Sequence, residues 1–246
     1  MLLSYLSQTR RLLQNPSSPV LLYSDADLTV AINEARQQLA AESASIRVLG
    51  TLAVTGGSPG PYSFSAISLG SAVGVRAVMA VRTMWFVIAS GQQWITPRGY
   101  EWFGSYVLNS PVPQAGAPNT WSQLGQGENG TIFLNVPDMN YTLNVDTVCV
   151  PIDLVDDTTA EAIPPLWQSA VQYFAAYTAL LGSQTSARVK DADEYLQRYE
   201  LFVQRARKFA TPEVMPLQYS QVPLPFTANQ LGQGQPAGGG QRGAPG

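Results

Sequence analysis

Apolar residues near the start of the chain recur at helical spacing. Leu2, Leu3, Leu6, Leu12 and Leu13 predict a helix over 2–13. Asn15-Pro16 stops it, because the residue before a proline avoids the helical region. A second helix opens at Ser24-Asp25-Ala26-Asp27, where Ser24 can cap and Asp27 makes a partial capping box. Leu28, Ala31, Ile32, Ala35 and Leu39 then form its apolar stripe, with Glu34, Arg36, Gln37 and Gln38 off it. From Ser45 to about Asp157 the pattern changes to short β-rich runs: 46–54, 62–67, 75–89, 131–136 and 141–150. Turn clusters such as Gly56 to Pro61 and Asn109 to Pro118 separate several of them, which predicts an antiparallel sandwich or barrel-like domain. Pro97 to Leu108 reads as a short helix inside it.

Helical spacing returns after Pro164-Pro165, a pair suited to a first turn. Trp167, Val171, Phe174, Ala175 and Thr178 share one face up to Gly182. The last helix, about 186–209, carries Val189, Ala192, Tyr195, Leu196, Tyr199, Phe202, Val203 and Ala206 on its apolar stripe. After Thr211-Pro212 the prolines at 212, 216, 223 and 225 exclude regular structure. The end is mostly Gly, Gln and Pro, which cannot bury enough surface to order itself alone. The expected fold is therefore α+β: a four-helix bundle with an inserted antiparallel β domain and an extended C-terminal arm. Its segments are 1–44 and 162–210 for the bundle, 45–161 for the β domain and 211–246 for the arm.

Composition sharpens this picture. Of 246 residues, 45% are hydrophobic and only 13% charged, with a net charge of -3. About half the usual charged fraction leaves a largely neutral surface, as expected where neighbouring subunits cover it. Phosphate grips are built from clustered Lys and Arg, so DNA should pass this protein without tight binding. The first apolar stretch precedes Arg10 and Arg11, the reverse of a secretory signal. No apolar run spans a bilayer. These features lead to the expectation of a soluble protein assembled in a reducing compartment, with no membrane partner.

The chemistry available is sparse. The sequence has no histidine and one cysteine, Cys149, set among apolar neighbours, which removes Ser-His-Asp and Cys-His catalysis and most zinc sites. Gly125 to Gly130 matches GxGxxG as a string, but a β run follows where a helix must stand, so a hairpin turn is the better reading. Asp153, Asp156, Asp157 and Glu161 form an acidic cluster. It reads as a solvated approach to the third bundle helix, although a pair such as Asp153 and Glu161 also suits glycoside hydrolysis. Trp94, Tyr100, Trp102, Phe103, Tyr106 and Trp121 crowd one stretch, as core or subunit contact rather than a stacking platform. No catalytic, cofactor or metal residue is assigned, and the chain is read as a non-enzyme.

Three stretches carry a resemblance. They are Tyr23 to Leu28 with Ile32 to Ala35; Thr131 to Pro137 with Tyr141 to Val145 and Pro151 to Leu154; and Ala162 to Pro164 with Trp167, Ala175 to Tyr177 and Ala192 to Leu196. In order and spacing they resemble the head-to-tail adaptors of short-tailed phages, of the tail tubular protein A class. Residues 56–75 have no counterpart in that pattern. The resemblance implies a ring of twelve copies in the virion neck, between the portal protein and a tail or nozzle protein, continuing the DNA channel after assembly in the bacterial host cytoplasm. It also implies an arm reaching the portal. Val214, Met215, Leu217, Tyr219, Val222, Leu224 and Phe226 are its candidate contacts, since a free tail would seldom expose so many apolar side chains. A tail-tube subunit, a receptor-facing β-domain protein or a tail-associated glycosidase using Asp153 and Glu161 is the alternative.

Overall fold

The computed structural model describes residues 1–14, 23–89, 91–109, 115–181 and 186–210, with 186–188 by backbone alone. The chain divides into two units, Met1–Thr211 and Pro212–Gly246, and every described residue lies in the first. In the first, α1 (Leu2–Leu12) and α2 (Asp25–Ser43) lead into β1 (Arg47–Val54) and β2 (Tyr62–Ser63). There follow β3 (Val75–Ile88), β4 (Gly91–Pro97), α3 (Tyr100–Phe103), β5 (Thr120–Leu124), β6 (Thr131–Leu134) and β7 (Tyr141–Pro151). The unit ends with α4 (Gln168–Leu181) and α5 (Ser186–Ala210).

The four-helix bundle with an inserted antiparallel domain is not what forms. Among the described residues there are five helices and a seven-stranded sheet, in the order β1-β7-β3-β4-β5-β6-β2. The sheet is mixed, since β4 and β5 run parallel at Thr96 to Thr120 and Pro97 to Trp121. Strands β4 and β5 are also the two that the sequence pattern leaves as loop. The helices pack on one another and on the sheet, and one hydrophobic cluster runs unbroken from Leu2 through Leu28 and Leu39 to Val78, Leu143 and Phe86. The physical reason is that a sheet's apolar face must be covered. The helices supply part of that cover, so their stripes are shared with the strands and no separate bundle core exists.

Alternation along the strands sets the two faces of the sheet. In β1, Gly50, Leu52 and Val54 are buried while Arg47, Leu49, Thr51 and Ala53 are exposed. Met84, Phe86, Ile95, Leu143 and Val145 join the same interior.

Residues 56–75, which the family pattern leaves unmatched, curl the sheet towards closure. After β2 and a short 3-10 turn at Phe64–Ala66, Ser68 pairs with Thr51 of β1, each N–H donating to the other's carbonyl at 2.9 Å. This brings the two ends of the strand order together. Gly50 permits it, because a Cβ there would lie 2.8 Å from Ile67 Cγ2 and 2.9 Å from the Ser68 carbonyl oxygen. A glycine inside a strand marks such a close approach of backbone. Gly50→Ala is therefore expected to cost about 1–3 kcal/mol by overpacking. Denaturant unfolding measures the loss, and faster exchange of the Thr51 and Ser68 amide protons would place it at the closing bridge.

The helix stripes hold in part. Ser24 caps α2, accepting from the Asp27 N–H at 3.1 Å. Tyr199 is 1% exposed and packs against Phe174 at 4.7 Å between ring centroids. Trp167, Phe174 and Phe202 are only half-buried, and Val189 is exposed.

Candidate functional site

One patch of the outer sheet face gathers aromatic, aliphatic and charged side chains around a groove of about 420 Å³. Its residues come from four strands. Trp85 on β3 stands directly across from Trp94 on β4, and the two indoles meet at 4.9 Å and 41°. Cross-strand aromatic pairs of this kind stabilise a hairpin. Leu49 on β1 lies opposite Asp146 on β7, and both line the groove with Arg47, Arg82 and Thr83. Trp94 is 57% exposed and Leu49 60%, so the patch offers apolar surface to solvent.

Charge at this patch is ordered. The Asp146 carboxylate pairs with the Arg47 guanidinium through both oxygens. Arg47 Nη1 also donates to the Ala210 carbonyl oxygen at 3.0 Å, and Arg82 Nη1 to the same oxygen at 3.3 Å. That carbonyl ends α5, where unpaired acceptors and the negative end of the helix dipole favour cations. The groove is thus bounded by the exit of the last helix.

A second exposed aromatic feature is a ridge. The Arg98 guanidinium lies 5.1 Å from the Trp102 ring centroid, and Trp102 stands 5.4 Å from Tyr106. The ridge is carried by α3 and the π-turn 104–108 that continues it. The aromatic-rich stretch therefore divides. Phe103 and Trp121 are buried, Tyr100 packs against Phe133 at 5.2 Å, and Trp94, Trp102 and Tyr106 face outward.

The acidic cluster does not converge. Asp153 accepts from Gln37 Nε2 at 2.7 Å and approaches Arg76 at 4.0 Å. Asp156 accepts from the hydroxyls and N–H groups of Thr158 and Thr159, which hold its carboxyl at about 2. Glu161 turns inward to Arg36, the side chains being 4% and 0% exposed. Arg36 Nη2 donates to Glu161 Oε1 at 2.8 Å and Nε to Oε2 at 3.1 Å, while Nη1 reaches the Ile152 carbonyl at 2.7 Å and Asn33 Oδ1 at 3.1 Å. Asn33 in turn clasps Leu154, donating to its carbonyl at 3.1 Å and accepting from its N–H at 2.8 Å. Tyr5 is buried against this network, and burial first, then the Glu161 charge, push its hydroxyl well above the usual range. Asp153 and Glu161 thus serve different partners. Glu161 is a latch holding the segment after β7 to α2, and it is not presented as one of a pair flanking a substrate.

Against known proteins, the chain matches no family model and no curated sequence.

The remaining candidates take structural places. Gly125 to Gly130 forms the turn of the β5–β6 hairpin, where Gly125 and Gly127 adopt positive φ of 77° and 63°. Cys149 is buried, and burial raises its thiol above the ordinary value. Among the described residues no group of three acidic or cysteine side chains is placed to hold a metal, and no helix is long and apolar enough to cross a membrane. The arm contacts Val214, Met215, Leu217, Tyr219, Val222, Leu224 and Phe226 lie outside the described residues. Arg36 is the residue that sequence reasoning misplaced. Its charge groups it with the polar face, yet it sits four residues after Ile32 and three before Leu39, squarely on the buried stripe. That spacing was the available signal.

Proposed function

We propose that this chain is a structural neck protein of a short-tailed phage, a ring-forming head-to-tail adaptor between the portal and a tail or nozzle protein. The observation that carries the reading is the joint between two of the stretches that bear the resemblance. Asn33, in the α2 stretch, clasps Leu154, in the stretch that leaves β7, by two hydrogen bonds between its side-chain amide and the Leu154 backbone. A pattern spread over 121 positions of sequence is thereby one physical joint. The exposed apolar side chains of Leu49, Trp94, Trp102 and Tyr106 add support, since exposed apolar area of this kind suits subunit contact. The mechanism is geometric: subunits pack side by side around a channel, and cyclic closure sets its width.

Electron microscopy of the purified chain, alone and mixed with portal-containing heads, tests the reading. Closed rings seated below the portal are expected. A β-rich, nearly closed sheet also suits a tail-tube subunit, and open tubes without rings would select that reading instead. The channel role carries its own expectation. Duplex DNA at physiological salt should bind more weakly than the roughly 10⁻⁴–10⁻⁶ M typical of non-specific DNA-binding proteins. Tight binding that weakens steeply with salt would contradict a lumen through which DNA slides.

A further inference from the structure

The last turn of α5 ends on the rim of the tryptophan groove. Arg47 Nη1 donates to the Ala210 carbonyl oxygen at 3.0 Å and Arg82 Nη1 at 3.3 Å, and both arginines line the groove with Leu49, Trp85 and Trp94. The chain beyond Ala210 therefore starts at this groove. Pro212 stops the helix from running on, because the residue before a proline avoids the helical region. The stretch 212–217 reads PEVMPL, two prolines with Val214, Met215 and Leu217. Proline-rich segments take up an extended form without internal hydrogen bonds, and dock rings and apolar side chains in aromatic-lined grooves. Here the indoles of Trp85 and Trp94 supply one wall and Leu49 the other, with Trp94 57% and Leu49 60% exposed. The lengths agree as well. The groove's residues come from β1, β7, β3 and β4, neighbours in the sheet, so it spans three strand spacings, about 14 Å. At about 3.1 Å per residue, about five residues of extended chain cross that distance.

We propose that residues 212–217 dock in the Trp85/Trp94 groove of their own chain. The contact is apolar, made by Val214, Met215, Pro216 and Leu217 against the indoles and Leu49, and it does not depend on charge. Its tether decides the occupant. A segment joined to the groove's rim by so short a link is held at an effective concentration on the order of millimolar, so it outcompetes the same segment of a second copy in dilute solution. The docking is independent of the adaptor reading. In an adaptor it would engage 212–217 on the subunit itself and leave Tyr219 to Phe226 for another partner.

The experiment follows the tryptophan indole N–H signals of the full-length, isotope-labelled chain by nuclear magnetic resonance, each assigned by replacing one tryptophan with phenylalanine. Val214→Ser with Met215→Ser and Leu217→Ser should move the Trp85 and Trp94 signals and leave that of Trp102, on the aromatic ridge, in place. The same displacement should persist on dilution, because a tethered contact does not depend on protein concentration. A synthetic peptide of residues 212–217 should bind the serine variant at least about tenfold more tightly than the unaltered chain, as expected if the chain's own segment fills the groove about nine-tenths of the time. Adding Trp94→Ala to the serine variant should remove that binding. Circular dichroism of the variants checks that they fold. Unmoved Trp85 and Trp94 signals would overturn the proposal, as would equal peptide affinity for the two chains. A displacement that fades on dilution would overturn it too, by putting a second copy's segment in the groove. Rings that fail to form beside an intact displacement would remove the adaptor reading alone, so the two failures are separable.

Discussion

Glu161→Ala is expected to destabilise the protein by about 3–5 kcal/mol, the range for removing one partner of a buried ion pair. The cause is the charge left behind. Arg36 is fully buried, and Glu161 is the anion that neutralises it, accepting from its Nε and Nη2. The carboxylate also accepts from the Ile163 N–H at 2.8 Å, so a second buried donor loses its partner. For a chain of this size the loss corresponds to a fall in melting temperature of about 6–20 °C. Replacing both partners by apolar residues, Arg36→Met with Glu161→Leu, should recover part of it. Recovery stays incomplete because the Ile152 carbonyl and Asn33 Oδ1 then lack the guanidinium. Urea unfolding of the single and double variants measures both effects. A Glu161→Ala loss below about 1 kcal/mol would mean that water reaches Arg36 and that the latch is open.

Tyr199→Ala is the second large effect, at about 3–5 kcal/mol, because it empties a site enclosed by α2, α4 and α5. Tyr199 packs against Phe174 and is among the largest fully buried side chains. Its hydroxyl donates to Glu42 Oε2 at the long distance of 3.3 Å, so Tyr199→Phe should cost no more than about 1 kcal/mol. Phe202→Ala should fall between, at about 1–2 kcal/mol, since Phe202 is half-buried and stacks on Tyr173 at 6.0 Å. An inverted order, with Phe202→Ala the costlier change, would show that α5 is rotated about its axis.

The α5 positions Tyr199, Phe202 and Val203 show what spacing conveys. It places Tyr199, Phe202 and Val203 on one face, but not which of them meets the centre of the core, because that depends on elements far away in sequence. The same limit explains the sheet. Alternating β-branched runs announce β1, β3 and β7, whereas β4 begins Gly91-Gln92-Gln93 and β5 follows a turn-rich stretch, so neither has a strong period. Closure at Thr51 and Ser68 rests on a backbone approach that no local pattern encodes. The tryptophan groove was half legible: Trp94 stood out among aromatics, but Trp85, Leu49 and Arg47 join it only through strand register. Arg36 misleads for a related reason, since a charge reads as surface until its partner 125 positions later is known.

The pairing of β1 with β7 has a consequence for how the chain is made. Arg47 faces Val148, so about a hundred residues must be synthesised before the first long strand finds its principal neighbour. At roughly 5–20 residues per second that is a wait of about 5–20 s. Arg36 and Asn33 wait longer still, for Glu161 and Leu154, and stay hydrated meanwhile. The apolar stripes of α1 and α2 thus stay uncovered on the ribosome, and their final seat is complete only once α4 has emerged.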